Sequence, residues 1–279
     1  MENVIVASIL AMETFACIIL NFLIVIALIK DPLKKLRNMF NFLLIHLCLC
    51  DLAASLFSFP LVCYSLFTYD DQKSNKNIKI GILIANPLLN AGIFTTMLLS
   101  YDRYKAITNP IEYRQNVNMN GFLKYIGLVW MYSLSILIFA LTVKSEIAGF
   151  IIDAALNTPE AVVLAIMYYR VRKIFKARTN CQLVENLITS SQLGKSQRLE
   201  KDKHATNTIT LIFVMQMLTV LSIFAQDVYV YLNGENNNNP IIFWVSTPLN
   251  VLADPIICIT RMPDFKKSVK ALFSVGNRS

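Results

Sequence analysis

Charged residues are scarce in this chain of 279 residues: Asp, Glu, Lys and Arg make up 16% of it, whereas 55% is hydrophobic. An ordinary soluble domain has about 25% charged residues. Histidine is scarcer still, with only His46 and His204. There is no histidine cluster, Ser-His-Asp set or metal-ligand spacing, so we do not expect an enzyme. We expect His46 to be a packed or hydrogen-bonded helix residue.

Cysteines that could pair outside the cell are also lacking. Of the six cysteines, only Cys181 lies outside the hydrophobic stretches, so we expect buried thiols and no extracellular disulfide. The start, Met1-Glu2-Asn3, lacks the positive residues of a signal peptide, and the apolar run after it is too long for one. We therefore expect the first hydrophobic stretch to be retained.

What the chain does contain is long apolar runs, and a helix needs roughly 18 or more such residues to cross a bilayer. The predicted spans are Val4–Ile29, Met39–Phe67, Ile78–Leu99, Gly121–Val143, Ile147–Tyr169, Ala205–Leu232 and Ile241–Ile259. We therefore predict an all-α membrane protein with one domain over residues 1–279, a bundle of seven transmembrane helices. Asp153, Asn157 and Glu160 interrupt the fifth span, so a bundle of six remains the alternative.

The formal charge of +8 is unevenly placed. Lysine and arginine gather after the first, third, fifth and seventh spans, while the opposite loops mix both signs. Basic loops stay in the cytoplasm, which predicts an outside N-terminus and a cytoplasmic C-terminus. We interpret the basic face as a topology signal that could also attract anionic membrane lipid, and we expect no nucleic-acid binding.

Polar residues inside the spans need partners, so they are informative. Asn21 and Asp51 lie within the first and second spans, and Asn250 and Asp254 lie one helical turn apart in the seventh. If these helices touch, the four side chains form one polar cluster that could hold a sodium ion, since carboxylate and amide oxygens suit hard cations. The alternative is a structural hydrogen-bond network. Pro255 beside the cluster predicts either a hinge or a static kink.

Several motifs, in order, resemble the rhodopsin-like (class A) G-protein-coupled receptors along nearly the full chain. Asp102-Arg103-Tyr104 is similar to the family's DRY motif at the inner end of helix three, and Asn109-Pro-Ile-Glu-Tyr113 to its second cytoplasmic loop. Asn21, Asp51, Trp130 and Asp254-Pro-Ile-Ile-Cys258 are similar to its motifs in helices one, two, four and seven. The resemblance also implies a short cytoplasmic amphipathic helix after span seven, over about 263–273.

The chain departs from the family pattern at four places. Thr219-Val-Leu-Ser222 stands where the CWxP motif of helix six is expected, and Cys258 replaces the helix-seven tyrosine. Leu20 replaces a glycine, and Ile78 stands where the helix-three cysteine should be. The short second outer loop and the missing disulfide are similar to those of the melanocortin-like branch of the family. The segment from Tyr101 to Ile107 is also similar to that of odorant receptors. Because the tryptophan and proline of CWxP are missing, the chain lacks the residues on which the family's usual opening of helix six depends.

The resemblance implies a plasma-membrane receptor in which an extracellular ligand releases Arg103 to bind a heterotrimeric G protein. Arg103 would be held by Asp102 and by an acid at the base of helix six, for which Asp202 or Glu200 is available. Alternatively, these two acids form a solvated patch. The family's amine receptors carry an aspartate where this chain has Ala85, and opsins carry a helix-seven lysine that is absent between Asn233 and Ile259. We therefore expect neither an amine nor retinal, but an unidentified peptide, odorant or small or lipid ligand.

The candidate ligand-binding residues are the polar side chains in or near the outer half. They are Asn86, Asn90, Glu13, Asp153 and Asp227. Glu13, Asp153 and Asp227 could form an acidic pocket for a cationic peptide, or they could be solvated or locally paired. The alternative function belongs to another class of protein. A polytopic transporter or channel would use Asp51, Asn250 and Asp254 as its ion site. The absence of internal repeats argues against a transporter.

Overall fold

The structure is a computed structural model that describes residues 2–31, 39–68, 71–115, 119–142 and 241–275, with further single helical positions within 162–177 and 207–228. Its helices are α1 (Glu2–Lys30), α2 (Met39–Ala53), α3 (Phe59–Thr68), α4 (Asp71–Thr108), α5 (Pro110–Gln115), α6 (Met119–Thr142), α7 (Ile241–Arg261) and α8 (Pro263–Val275). A π-helical turn over Ala54–Ser58 joins α2 to α3.

Four helical segments in the described part of the chain are long and apolar enough to cross a membrane. They are Val4–Lys30, Met39–Thr68, Lys76–Ala106 and Gly121–Phe139. Large apolar side chains such as Met12, Phe15 and Met131 are exposed on them. Water would not favour that much exposed apolar surface, whereas lipid accommodates it. The helices therefore indicate a multi-pass membrane protein.

The interior of the bundle lies where α1, α2, α4 and α7 meet. At the end of α4 that carries Arg103, the core contains Leu28 of α1, Leu44 of α2, Leu99 of α4 and Cys258 of α7. A second cluster, towards the other end, packs Val6 and Leu10 against α3. The close approach of α1, α2 and α7 is what allows polar residues on three different helices to meet.

Helix α4 runs through the centre of the described bundle and contacts α2, α3 and α6. It has 38 residues and extends past both ends of the predicted span at Ile78–Leu99. Asp102 and Arg103 therefore lie within a continuous helix, and the turn that follows is set by Asn109. Midway along α4, Ile93 and Met97 pack against Met217 and Val220.

Helix α8 follows α7 after a single residue, Met262. The backbone N–H of Lys266 donates to the carbonyl of Met262 at 3.1 Å, which closes the first turn. Lys266, Lys267 and Lys270 are exposed, whereas Ser268 is buried. The helix therefore has one charged face and one face turned towards the bundle.

Candidate functional site

Asp102 and Arg103 form an ion pair at the end of α4. Arg103 Nη2 lies 2.6 Å from Asp102 Oδ2, and Arg103 Nε donates to the same oxygen at 3.1 Å. The two side chains are only 13% and 6% exposed, respectively. A charge-assisted pair with so little water around it is stronger than a surface pair, which is worth about 0–1 kcal/mol.

Tyr113 joins this pair because α5 folds back beside α4. Asn109 lies between α4 and α5, and its side-chain amide donates to Glu112 Oε2 at 3.2 Å, across the first turn of α5. Pro110 occupies the first position of α5, where a missing N–H costs nothing. The turn places the Tyr113 hydroxyl 2.8 Å from Asp102 Oδ1, to which it donates, and it accepts from Arg103 Nη2 at 3.0 Å.

Asp102, Arg103 and Tyr113 therefore form one unit, which we call the α4–α5 triad. Burial raises the pKa of the Tyr113 phenol above its usual range. The hydroxyl keeps its proton at neutral pH, so it can donate to the carboxylate while accepting from the guanidinium.

Phe40 of α2 closes the other side of Arg103. The guanidinium carbon lies 4.5 Å from the centroid of the Phe40 ring and 5.8 Å from that of Tyr113. Aromatic faces attract cations at these distances, by about 0.5–1 kcal/mol at exposed sites and more where water is excluded. Arg103 is thus held by a carboxylate, a phenol and two aromatic rings.

The other residues predicted for this end are placed differently. Tyr104 is half-buried, and its ring stacks on that of Tyr101 at 6.5 Å rather than joining the triad. Asp202 and Glu200, the predicted helix-six partners of Arg103, lie outside the described residues.

The four polar residues predicted to meet inside the membrane lie on three helices that pack against one another, α1, α2 and α7. Asn21, Asp51, Asn250 and Asp254 are all buried, each at most 5% exposed. Asp51 and Asp254 are close enough for their charges to interact. We call these residues the mid-helix polar cluster.

Asn21 has a further structural role within this cluster. Proline at 255 cannot donate to the carbonyl of Val251, four residues earlier in α7. The Asn21 side-chain amide donates to that carbonyl at 3.4 Å and to the carbonyl of Cys17 at 3.1 Å. A side chain from α1 thus satisfies the α7 acceptor that Pro255 leaves without a backbone donor.

The cluster has the donor atoms that a hard cation requires. Among the described residues, no hydrogen-bond partner reaches Asn21 Oδ1, Asp51 Oδ2, Asn250 Oδ1 or either carboxylate oxygen of Asp254. Buried oxygens normally have partners, and two neighbouring carboxylates repel unless a cation or a proton lies between them. These residues fit a sodium ion. Within the described part of the chain no three His, Cys, Asp or Glu side chains group around a metal position.

The predicted ligand-binding residues are only partly assembled. Asn86 lines a small cavity of about 60 Å³ towards the end of the bundle opposite Arg103, together with Ala85 and Thr247. Asn90 is buried in α4, and Glu13 is half-buried in α1. Asp153 and Asp227, which were predicted to form an acidic pocket with Glu13, lie outside the described residues.

Two residues of this site were not found as site residues from sequence. Tyr113 was identified only as part of a loop, and Phe40 was not singled out at all. The spacing of 11 residues from Asp102 to Tyr113, broken by Asn109-Pro110, is the one local signal that a turn could return the phenol to the carboxylate. No local pattern brings Phe40 to Arg103, because that contact depends on how α2 packs against α4.

Comparison with known proteins identifies the family. Residues 20–257 match the family model of the 7 transmembrane receptor (rhodopsin family). The human histamine H4 receptor is 30% identical over 134 residues, which are 46% of this chain and 33% of that receptor. A zebrafish (Danio rerio) melatonin receptor type 1B-B is 23% identical over 155 residues, 56% of this chain and 42% of the receptor.

One similarity extends along most of the chain. The dopamine D2-like receptor of Drosophila melanogaster is 22% identical over 286 aligned residues, which cover 84% of this chain and 31% of the receptor. The chain spans less than half the length of each of these curated relatives. The family match, in contrast, covers well over half of the chain and includes the α4–α5 triad and the mid-helix polar cluster. The chain therefore belongs to the rhodopsin family of seven transmembrane receptors.

Proposed function

We propose that this receptor transmits an extracellular ligand signal to a heterotrimeric G protein, which binds at the Arg103 end of the bundle. The observation that carries the proposal is the closed α4–α5 triad. Arg103 is a cation with only 13% of its side chain exposed, and its guanidinium is engaged by Asp102 and Tyr113 at 2.6–3.1 Å. A cation held so near the end of a membrane helix can be released to a partner when these contacts break.

We further propose that the Arg103 end faces the cytoplasm and that the chain lies in the plasma membrane with its N-terminus outside. Support comes from the basic segments that follow the first, third, fifth and seventh spans. Lys266, Lys267 and Lys270 on the exposed face of α8 lie at the same end, where they would meet anionic lipid headgroups.

We propose that the ligand binds at the end of the bundle opposite Arg103 and that it does not pair with a carboxylate on α4. Histamine and dopamine receptors are among the relatives, but Ala85 supplies no counter-ion for an amine at that position of α4. The cavity beside Ala85 and Asn86 is small and mostly apolar. It suits a small or lipid-like ligand, or the tip of a larger one.

We also propose that the mid-helix polar cluster holds a sodium ion. The proposal is supported by the buried carboxylate and amide oxygens that have no hydrogen-bond partner among the described residues. Without a cation between them, the carboxylates of Asp51 and Asp254 would repel each other. When bound, the ion neutralises negative charge between α2 and α7. It would then favour the arrangement in which these helices are close.

Arg103→Ala tests the proposed function in cells that express the chain with a surface tag. A ligand library is screened with a G-protein dissociation readout, and basal signal is recorded in parallel. Arg103→Ala should remove basal and stimulated coupling while surface expression is kept. Lys124→Ala, which removes an exposed cation from α6, is the matched control and should couple normally. Unchanged coupling in Arg103→Ala would exclude the mechanism, and an ion flux that is lost in Asp51→Asn would favour a transporter.

A further inference from the structure

Of the contacts of Arg103 described above, the contact with Phe40 comes from a distant part of the chain. Asp102 is the neighbour of Arg103 in α4, and Tyr113 follows ten residues later on α5. Phe40 instead belongs to the first turn of α2, which is a different membrane-spanning segment. We propose that Phe40 is a positioning residue for Arg103, which attaches the guanidinium to α2 and makes its release depend on how α2 and α4 lie against each other.

The Phe40 ring lies beside the guanidinium at a distance typical of a cation–π interaction. The guanidinium carbon is 4.5 Å from the ring centroid, well inside the limit of about 6 Å for this attraction. The centroid of the Tyr113 ring is farther away, at 5.8 Å. Only 13% of the Arg103 side chain is exposed, and the attraction between a cation and an aromatic face is stronger where water is excluded.

The ring and the carboxylate restrain Arg103 in different ways. Arg103 Nε and Nη2 both donate to a single oxygen, Asp102 Oδ2. A guanidinium that bonds two carboxylate oxygens is fixed in orientation, whereas bonds that converge on one oxygen allow rotation about that atom. The Phe40 ring limits this rotation together with the Tyr113 hydroxyl, because the attraction acts over the face of the ring.

The position of the Phe40 ring is set by the core of the bundle. Phe40 is only 2% exposed, and it packs in one cluster with Leu44 of α2, Leu99 of α4 and Cys258 of α7. Protein interiors are closely packed, so a ring in such a cluster moves little unless the helix that carries it also moves. The ring therefore follows the position of α2.

A shift between α2 and α4 would act on the Phe40 contact before it acts on the triad. Asp102 and Arg103 are consecutive residues of α4, and the turn at Asn109 keeps Tyr113 beside them, so these contacts move together with α4. The same shift moves Arg103 away from the Phe40 ring. Because the ring favours the closed conformation, weakening its attraction increases the population in which Arg103 is released. This effect on coupling rests on the proposed function, whereas the positioning of Arg103 does not.

The experiment changes the charge distribution of the ring and leaves its shape nearly the same. In the full chain, Phe40 is replaced through stop-codon suppression by phenylalanines that carry one, two or three fluorine atoms on the ring. Each fluorine withdraws electron density from the face that attracts the cation. The unfolding temperature in detergent is measured for each ring with Arg103 present and with Arg103→Met, which removes the charge. Basal G-protein dissociation is recorded in cells at matched surface expression.

Fluorination of Phe42 is the matched control. Phe42 lies on the same helix, and its ring packs against that of Phe122, with the two ring centroids 5.9 Å apart. An effect of fluorine on ring packing alone would appear at both positions and would be the same with Arg103→Met. An effect on the attraction of Arg103 would appear only at Phe40, and only while the guanidinium is present.

We expect the unfolding temperature to fall with each fluorine added at Phe40, by about 1–4 °C over the series. Basal G-protein dissociation should rise by about two- to fivefold. The temperature trend should vanish with Arg103→Met. No change along the series, or the same trend with Arg103→Met or at Phe42, would overturn the proposal. A temperature trend that requires Arg103, with no coupling in any variant, would support the positioning role and refute the proposed function instead.

Discussion

Trp130 Nε1 donates a hydrogen bond to His46 Nε2 at 3.0 Å, and this contact fixes which ring nitrogen of His46 carries the proton. Because the indole can only donate, His46 Nε2 must accept, and Nδ1 carries the hydrogen. Nδ1 then donates to Thr95 Oγ1 at 2.8 Å, and the threonine hydroxyl donates to the carbonyl of Ala91 at 2.6 Å. The chain of bonds joins α6, α2 and α4.

His46→Ala should lower the stability of the receptor. The substitution leaves the Trp130 N–H without its acceptor in a half-buried position, and an unsatisfied buried polar group costs about 1–3 kcal/mol. Thermal unfolding in detergent measures the loss. Ser135→Ala on α6, which removes an exposed hydroxyl bonded within its own helix, is the control and should have little effect. The double variant with Trp130→Phe should lose less than the sum of the two single losses, and full additivity would show that the bond contributes nothing.

Tyr113→Phe should raise coupling in the absence of ligand. The phenol bonds both members of the Asp102–Arg103 pair, and hydrogen bonds to charged groups are worth about 1.5–3 kcal/mol. Losing even 1 kcal/mol of the closed conformation's advantage would increase the open population about fivefold. Basal G-protein dissociation at matched surface expression measures the change. Tyr64→Phe, an exposed tyrosine on α3, should have no effect, and equal basal signals in both variants would rule out a role for Tyr113.

Asp51→Asn and Asp254→Asn should each abolish a sodium response. We expect sodium, compared with choline at the same ionic strength, to raise the unfolding temperature of the original chain. Each variant removes one of two interacting carboxylates, so the negative charge that attracts sodium is halved. The repulsion between the two carboxylates in the absence of sodium is removed as well. The variants should therefore be more stable than the original chain in choline. Glu13→Gln, which removes a carboxyl from α1 outside the cluster, should keep the response, and its loss there would contradict a site at the cluster.

Gly81→Ala should destabilise the contact between α3 and α4. A Cβ at this position would lie 2.8 Å from Val62 Cγ2 and 3.4 Å from the carbonyl oxygen of Ser58. Valine is stiff at χ1, so the helices must shift, and overpacking of this kind costs about 1–3 kcal/mol. Thermal unfolding measures the loss. Gly127→Ala on α6, where a Cβ meets no atom within 4 Å, should be neutral or stabilising, and the same loss at both positions would point to a cause other than the Val62 contact.

Sequence reasoning located the residues whose chemistry is unusual for their surroundings. Asp102 and Arg103 are charges at the end of an apolar run, and Asn250 and Asp254 are polar groups one turn apart in another. Because burying such groups is costly, each required a partner. Asp102 and Arg103 pair with each other within α4, whereas the polar groups of the seventh span pointed to partners on other helices. Local spacing and solvation were sufficient for these inferences.

What sequence could not supply depends on packing between distant segments. The ring of Phe40 reaches Arg103 because of the angle at which α2 crosses α4, and no local pattern encodes that angle. The π-helical turn at Ala54–Ser58 within the predicted second span was missed for a similar reason, since an apolar run is compatible with either hydrogen-bond pattern. Likewise, the cavity of about 280 Å³ beside the α4–α5 triad exists only once α2, α4, α5 and α6 have assembled.

The bond from Asn21 to the Val251 carbonyl has a mechanical consequence. A helix normally bends more easily at a proline, because the carbonyl four residues earlier has no backbone donor. Here that carbonyl, of Val251, is hydrogen-bonded to Asn21 of α1. Bending of α7 at Pro255 must therefore either break this hydrogen bond or move the middle of α1 as well. Helix α1, which presents Phe15 and Phe22 to the surrounding lipid, would then move together with α7, and a spectroscopic label on its outer face would report what α7 does inside the bundle.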